Sequence, residues 1–167
     1  VKITIPSLIV FATAYLIIKG FLENQTKLRR IDLKMQGQRE TLPMRLQAYE
    51  RLALFVERIS FNNLIQRIRE PNMTAKELQM TLISTIRMEF EHNMSMQIYI
   101  SSDLWNMITL CKDEMIKIVN LVTASLPAEA TGTDLSKAIF QFLIDSEHVL
   151  PTQKALDALK DEVTEIL

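Results

Sequence analysis

The segment ITIPSLIVFATAYLII, residues 3–18, contains no charged side chain, and it decides what architecture the rest of the chain can have. Lys19 interrupts the apolar run, which then continues through Phe21 and Leu22. A helix of about 20 residues is about 30 Å long, which matches the hydrocarbon core of a bilayer. The sequence therefore predicts a transmembrane anchor over residues 1–22. The residues expected to form it include Pro6, Leu8, Ile9, Phe11, Tyr15, Leu16, Ile17 and Lys19.

Two other interpretations of this segment are a buried core helix and a cleaved signal peptide. A core helix is usually shorter or carries polar residues on one side. Ala12-Thr13-Ala14 has the form of a signal-peptide cleavage site, yet the apolar run continues through Ile18, and little polar sequence precedes it. A transmembrane anchor therefore fits this segment better than a core helix or a signal peptide does.

Basic residues follow the apolar segment. Between residues 19 and 45 the sequence has Lys19, Lys27, Arg29, Arg30, Lys34, Arg39 and Arg45 against Glu23, Asp32 and Glu40, whereas only Lys2 precedes the segment. The positive-inside rule then places the N-terminus outside and the C-terminal part in the cytoplasm. We expect residues 23–42 to form a basic juxtamembrane helix or linker. The cations that set this topology, and that can contact lipid headgroups, are Lys27, Arg29, Arg30, Lys34 and Arg39.

The remaining composition favours helices and excludes several kinds of site. The chain has 167 residues and a formal net charge of −1, so it is not built as a polyanion-binding protein. Only three glycines and five prolines interrupt it, which predicts an all-α fold. Cys111 is the single cysteine, so no intrachain disulfide can form. A thiol-based metal site would need more partners than His92 and His148 provide.

Apolar periodicity predicts a cytoplasmic bundle of about five helices in residues 43–167. The expected helices are 43–60, opened by Pro43, then 74–91, 103–125, 135–147 with Asp134 as its cap, and a last helix from Pro151. Thr74 and Glu77 have the spacing of a capping box. Residues 61–73 are expected to be a connection with one short apolar turn. The segment MSMQIYI, residues 94–100, could be a short extended piece, and we find no convincing internal repeat.

The last helix has an apolar face that includes Leu159 and Ile166. Its charged residues are expected to be largely solvated, and they are Lys154, Asp157, Asp161, Glu162 and Glu165.

With these segments laid out, the chain resembles an uncharacterised family of membrane-anchored helical proteins of Bacteroidetes bacteria. The stretches that carry the resemblance are LPMRLQAYERLALFVERI (42–59), MTAKELQ (73–79), EFEHNMSMQIYIS (89–101), GTDLSKAIF (132–140) and PTQKALDALK (151–160). The resemblance implies a bacterial inner-membrane location. It supplies no function and no role for any residue.

The sharpest catalytic candidate is the motif EFEH, residues 89–92. Glu89 and His92 are three positions apart, so on a helix they share one face, as ligands do in di-iron helical bundles. Asp145 and His148 form a weaker second pair, and two further glutamates would have to face the bundle interior. The glutamates of the 43–60 helix lie on its polar side instead. The other interpretation is that Glu89 and His92 make ordinary hydrogen bonds near a helix C-terminus.

No other catalytic pattern is present in the sequence. Cys111 lies in the middle of an apolar stripe, which is typical of a buried small side chain. The sequence has neither a Walker loop nor a GxGxxG motif, so nucleotide binding is unsupported. We therefore expect no catalytic residue, no metal or other cofactor, no nucleic-acid partner and no small-molecule substrate.

Methionines are unevenly distributed along the chain. Seven of the nine lie between Met73 and Met115, and Met80 and Met88 fall on the otherwise polar side of the 74–91 helix. Exposed methionine can form an adaptable docking surface. The candidate partner surface comprises Met80, Met88, Met94 and Met96. The other interpretation is that this helix is central in the bundle and buried on two sides.

These observations predict a non-enzymatic interaction or accessory subunit that docks on a larger bacterial inner-membrane assembly. Its expected partners are the lipid bilayer and a membrane-protein complex or a homo-oligomer. The alternative is a metal-dependent, di-iron-like helical-bundle enzyme that uses Glu89 and His92. A stator-like stalk would require one unbroken helical pattern beyond the membrane, and the four prolines from Pro43 to Pro151 argue against it.

Overall fold

The computed structural model describes residues 4–145 and 150–166, and within the first helix it describes the side chains of residues 15, 18–22, 25–27, 29 and 40 onward. In this part of the chain every element is helical, which confirms the all-α prediction. The elements are α1 (Thr4–Ile59), α2 (Phe61–Ile68), α3 (Ala75–Asn93), a 3₁₀ helix (Met94–Ile98), α4 (Ser102–Ala124), α5 (Gly132–Asp145) and α6 (Pro151–Ile166).

The chain divides into two compact units, Val1–Pro43 and Met44–Leu167. Among the residues that the structure describes, no helix has the length and apolar character needed to cross a membrane. The predicted anchor falls mostly on side chains outside the described residues, namely those of Pro6, Leu8, Ile9, Phe11, Leu16 and Ile17. The same holds for the basic residues Arg30, Lys34 and Arg39. The described members Tyr15, Lys19, Lys27 and Arg29 are exposed, and the anchor stays a prediction.

The predicted helix start at Pro43 is wrong, because α1 continues through this residue. A proline inside a helix removes one backbone hydrogen bond and costs about 3 kcal/mol in a regular interior. Pro43 and Met44 are both exposed, so water can satisfy the backbone groups that the proline leaves free. The proline marks the boundary between the two units rather than the start of a helix.

Two segments outside the predicted helices are also helical. Residues 61–68 form α2, because Phe61, Leu64 and Ile65 are spaced to bury one helical face in the core. Residues 94–98 form a 3₁₀ helix rather than an extended piece. Its Met96 side chain belongs to the core.

The predicted capping box at the start of α3 is confirmed. The Thr74 hydroxyl accepts a hydrogen bond from the Glu77 amide at 3.2 Å, and the Glu77 carboxylate accepts from the Thr74 amide at 2.9 Å. The start of α5 repeats this arrangement with Thr131 and Asp134. The prediction of Asp134 as N-cap is therefore wrong. Thr131 is the capping residue, and Asp134 reaches back to it from three positions on.

The two capped helix starts pair with each other, and both have the same short sequence pattern. Thr74 and Thr131 form an antiparallel β-bridge, supported by hydrogen bonds from the Gly132 amide to the Met73 carbonyl and from the Ala75 amide to the Ala130 carbonyl. A Cβ at Gly132 would lie 3.0 Å from the Met73 carbonyl oxygen, so this close approach favours glycine. The repeated pattern is Thr, a small residue, any residue, an acid and a buried leucine, over residues 74–78 and 131–135.

The core of the Met44–Leu167 unit is one cluster of apolar side chains from its helices. It includes six residues of the stripe predicted for α4, which are Leu104, Ile108, Cys111, Met115, Val119 and Val122. Met107, which the same stripe placed in the core, is exposed instead. Among the described residues, no buried side-chain nitrogen or oxygen atom lacks a hydrogen-bond partner. The largest fully buried side chains are Phe55, Leu52, Ile59, Leu64, Leu78, Leu82, Ile86, Ile108, Met115, Leu135, Ile139 and Val56.

Candidate functional site

A polar cluster centred on Glu162 joins three separate parts of the Met44–Leu167 unit. The Tyr49 hydroxyl donates to Glu162 Oε1 at 2.6 Å, and Arg45 Nη2 donates to the Tyr49 hydroxyl at 3.0 Å. Arg45 Nη2 also lies 3.9 Å from Glu162 Oε1. The cluster therefore ties α1 to α6 through one carboxylate.

The same carboxylate holds the start of α4. The Ser101 amide donates to Glu162 Oε1 at 2.9 Å, and the Ser101 hydroxyl donates to Oε2. The Ser101 hydroxyl in turn accepts from the Leu104 amide at 3.1 Å, as the N-cap of α4. Arg45 Nε donates to the Tyr99 carbonyl at 3.1 Å. The loop before α4 is thus fixed to both α1 and α6.

Burial and hydrogen bonding act in opposite directions on the two ionisable groups of the cluster. Burial alone would raise the pKa of Glu162, but the hydrogen bonds from Ser101 and Tyr49 outweigh it and lower the pKa below its ordinary value. For Tyr49, burial and the hydrogen bond to Glu162 raise the pKa to about 12. At neutral pH the cluster is a tyrosine hydroxyl and a carboxylate anion.

The raised pKa of Tyr49 predicts a loss of stability in alkali. Between the ordinary pKa of 10.0 and the folded value of about 12, the unfolded chain has released the tyrosine proton while the folded chain keeps it. The contribution is therefore complete below pH 10 and decreases as the pH rises towards 12. Thermal unfolding followed by Trp105 fluorescence should show a smaller decrease in Tm from about pH 9 to about pH 11 for Tyr49→Phe than for the unchanged chain. An equal decrease in both proteins would contradict the assignment.

An open cleft of about 590 Å³ lies beside this cluster, between the start of α4 and the second half of α6; we call it the α4–α6 cleft. Its apolar lining comes from Leu104, Met107, Ala158 and Ile166. Its charged lining comes from Arg45, Asp103, Asp161, Glu162 and Glu165. Glu162 is held by the polar cluster. Within the described part of the chain, no cation pairs with Asp103, Asp161 or Glu165. The cleft therefore combines apolar side chains with an acidic rim, formed by Asp103, Asp161 and Glu165, beside Arg45.

A second concave surface of about 400 Å³ lies on the other side of α6. It is lined mainly by apolar side chains of α1 and α6, with Glu50 and Lys160 among its polar residues. Its apolar members are Leu46, Ala53, Leu156, Leu159 and Val163.

Glu89 and His92, the predicted catalytic candidates, make ion pairs and hydrogen bonds with arginines. Arg58 Nη2 lies 2.7 Å and Arg67 Nη2 lies 3.3 Å from Glu89 Oε1. His92 Nε2 lies 3.4 Å from Arg51 Nη2. Among the described residues, no group of three or more histidine, cysteine, aspartate and glutamate side chains could hold a metal ion. His148 of the second pair lies outside those residues.

Cys111 is buried in α4, as its apolar stripe predicted. Burial, with a smaller effect of nearby Glu114, raises the pKa of its thiol to about 12. The reactive thiolate form is therefore scarce at neutral pH.

The four methionines of the candidate partner surface differ in their exposure to solvent. Met80, Met88 and Met94 are exposed, at 55%, 60% and 43% respectively. Met96 is buried, so its assignment to this surface is wrong: the 3₁₀ helix turns its side chain into the core. A role for the three exposed methionines in binding a partner stays a prediction.

The Glu162 cluster was not predicted from the sequence. Glu162 was expected on the solvated side of α6, whereas its side chain is only 16% exposed. A signal was available, because Glu162 follows Leu159 by three positions and precedes Ile166 by four, which places it on the apolar stripe. Its partners come from residues far away in sequence, which periodicity cannot identify.

Comparison with known proteins adds a family but no activity. A family model described as "Family of unknown function (DUF7935)" matches residues 1–166. Neither the curated proteins nor the solved structures give a match to this chain.

Proposed function

Because the chain belongs to this family of unknown function, which offers no activity to carry over, we propose its role from the site: a non-enzymatic, membrane-anchored interaction subunit. In this proposal residues 1–22 cross the inner membrane of a bacterium with the N-terminus outside. The Met44–Leu167 unit stands in the cytoplasm and docks on a larger membrane assembly.

Exposed apolar side chains on α1 support the anchor. Tyr15, Ile18, Phe21 and Leu22 are each more than half exposed, and they lie within eight residues of one helix. Large apolar side chains at this density are unfavourable in water and favourable in lipid. The exposed cations that follow, among them Lys27 and Arg29, fit the cytoplasmic side of such a helix.

Binding rather than catalysis is supported by the way the unit uses its ionisable groups. The carboxylates of Glu162 and Glu89 join helices through tyrosine, serine and arginine partners. The thiol of Cys111 is buried, and its pKa is raised. These carboxylates act as links between helices, and the reactive thiolate form of the buried cysteine is scarce at neutral pH.

The α4–α6 cleft is the single observation that carries the docking proposal. Its volume of about 590 Å³ is in the range of ligand pockets, and Met107 adds an adaptable apolar contact. Asp103, Asp161 and Glu165 line it, and among the described residues no cation forms a salt bridge with any of them. The partner that complements this surface is a helical segment with apolar side chains flanked by lysine or arginine.

The test is site-specific photocrosslinking in the native membrane. A photoreactive amino acid in place of Met107 should capture a membrane protein with a basic amphipathic segment. Asp161→Lys combined with Glu165→Lys should reduce that capture by about tenfold or more, because it reverses the charge of the rim. Glu129→Lys, an exposed acid in the loop before α5, is the matched control and should leave capture unchanged. Capture that is insensitive to the rim variant, or no capture at Met107, would overturn the cleft as the docking site.

A further inference from the structure

The concave surface of about 400 Å³ between α1 and α6, which we call the α1–α6 groove, belongs entirely to the Met44–Leu167 unit. Each of its two walls carries partly buried apolar side chains. They are Leu46 and Ala53 on the α1 wall, and Leu156 and Val163 on the α6 wall. Apolar surface gains free energy when a contact removes it from water, so a groove of this kind is suited to a protein partner.

One acid and one base stand in the middle of the two walls. Glu50 lies between the apolar residues of the α1 wall, and Lys160 lies between those of the α6 wall. The residue after which Glu50 follows is Tyr49, whose hydroxyl donates to Glu162 Oε1 at 2.6 Å. Glu162 in turn lies two residues after Lys160. The carboxylate of Glu50 and the ammonium group of Lys160 therefore stand at about the same level along the groove.

Both charges are available to a partner. Among the described residues, no cation forms a salt bridge with Glu50. Lys160 Nζ lies 3.8 Å from Asp157 Oδ1 on its own helix, but the two side chains are 71% and 53% exposed. An ion pair that is so exposed contributes little to stability, so Lys160 can exchange it for a contact with a partner.

We propose that the α1–α6 groove binds the same groove of a second copy of the chain, with the two-fold axis along the groove. Such an axis places α1 of each copy over α6 of the other and keeps every residue at its own level. Glu50 of each copy then faces Lys160 of the other, which gives two attractive contacts. The apolar residues of all four walls meet on either side of this charged layer. The groove is separate from the α4–α6 cleft, so this inference does not rest on the proposed docking role.

The positions of the two charges select this arrangement. A two-fold axis across the groove would place α1 over α1 and α6 over α6. Full overlap of the apolar residues would then centre the axis at the level of the charges, because these lie midway along the walls. Glu50 would face Glu50 and Lys160 would face Lys160, so both contacts would be repulsive. A partner of another sequence would have to supply a base and an acid at one level, whereas a second copy supplies this pair by symmetry.

Sedimentation equilibrium of the full chain in density-matched mild detergent tests the pairing, and the unchanged chain is expected to form a dimer. Glu50→Lys and Lys160→Glu, each alone, set like charges opposite each other in both contacts. Each should raise the dissociation constant of the dimer by about tenfold or more. Both side chains are exposed, so the helical circular dichroism signal should not change. Glu70→Lys, at an exposed acid in the loop after α2, is the matched control and should leave the dissociation constant unchanged.

Two combinations of these variants test which helices face each other. Mixed in equal amounts, the two single variants should form a heterodimer about as stable as the unchanged dimer, because one chain supplies two bases and the other two acids. Glu50→Lys combined with Lys160→Glu in one chain should also restore the dimer. A double variant as weak as the single ones would contradict the placement of α1 over α6. A monomeric mass for the unchanged chain, or a dimer that the single variants leave intact, would overturn the proposal.

Discussion

Glu162→Ala is expected to lower the free energy of unfolding of the Met44–Leu167 unit by about 2–4 kcal/mol. The substitution removes an acceptor that the Tyr49 hydroxyl, the Ser101 amide and the Ser101 hydroxyl share. These donors lose their partner, and Arg45 loses its counterion. Natural domains have a total stability of about 5–15 kcal/mol, so the loss is a large fraction of the whole.

The measurement is thermal or urea unfolding followed by the fluorescence of Trp105, the single tryptophan of the chain. Trp105 stacks on Phe90 with ring centroids 5.2 Å apart, so its emission reports the packing of α3 against α4. Glu165 is exposed and lies three residues further along the same helix. Glu165→Ala is therefore the control, and it should change the free energy of unfolding by less than about 0.5 kcal/mol. Equal effects of the two substitutions would show that the cluster does not hold α6 in place.

The second large effect is expected at the predicted anchor. Phe11→Asp combined with Ile17→Asp should move the protein from the membrane fraction to the soluble fraction. Each aspartate in the apolar core of a bilayer costs about 2.5–3.5 kcal/mol, whereas leucine at the same position is favourable. The reason is the loss of carboxylate hydration in hydrocarbon.

Phe11→Leu combined with Ile17→Leu is the matched control, and it should stay in the membrane fraction. Both variants leave the Met44–Leu167 unit unchanged, so the helical signal of that unit checks that each protein is folded. Retention of the double aspartate variant in membranes would argue that another part of the chain provides the attachment.

The helices that sequence could predict are those with a long apolar stripe or a local cap. α4 has buried residues at every expected turn from Leu104 to Val122. The Thr74 and Glu77 capping box is contained within four residues, so its geometry follows from spacing alone. Both features depend only on residues close together in the sequence, and the structure confirms both.

The features that sequence could not predict depend on contacts between distant residues. The Glu162 carboxylate meets Tyr49 and Ser101, which are separated from it by 113 and 61 positions. The pairing of Thr74 with Thr131 turns Asp134 from the expected cap into the residue that reaches back to the cap. Periodicity can place Glu162 on the apolar stripe of α6, but it identifies neither the partners of Glu162 nor the pairing of the two threonines.

Pro43 is the opposite case, because its strong local preference for a helix start does not decide the structure there. Proline disfavours a helix interior, and the sequence therefore predicted a new helix there. α1 instead continues through it, with an exposed proline at the boundary of the two units. The unbroken α1 also removes one of the arguments against a long helical stalk.

The central claim is that the N-terminal helix holds the helical unit at a membrane. The most direct test is extraction of native membranes that contain the unmodified full chain with alkaline carbonate, followed by flotation of the residual membranes. We expect the protein to float with the lipid after carbonate treatment and to be released only by detergent. Complete release by carbonate, with the protein at the bottom of the gradient, would contradict it.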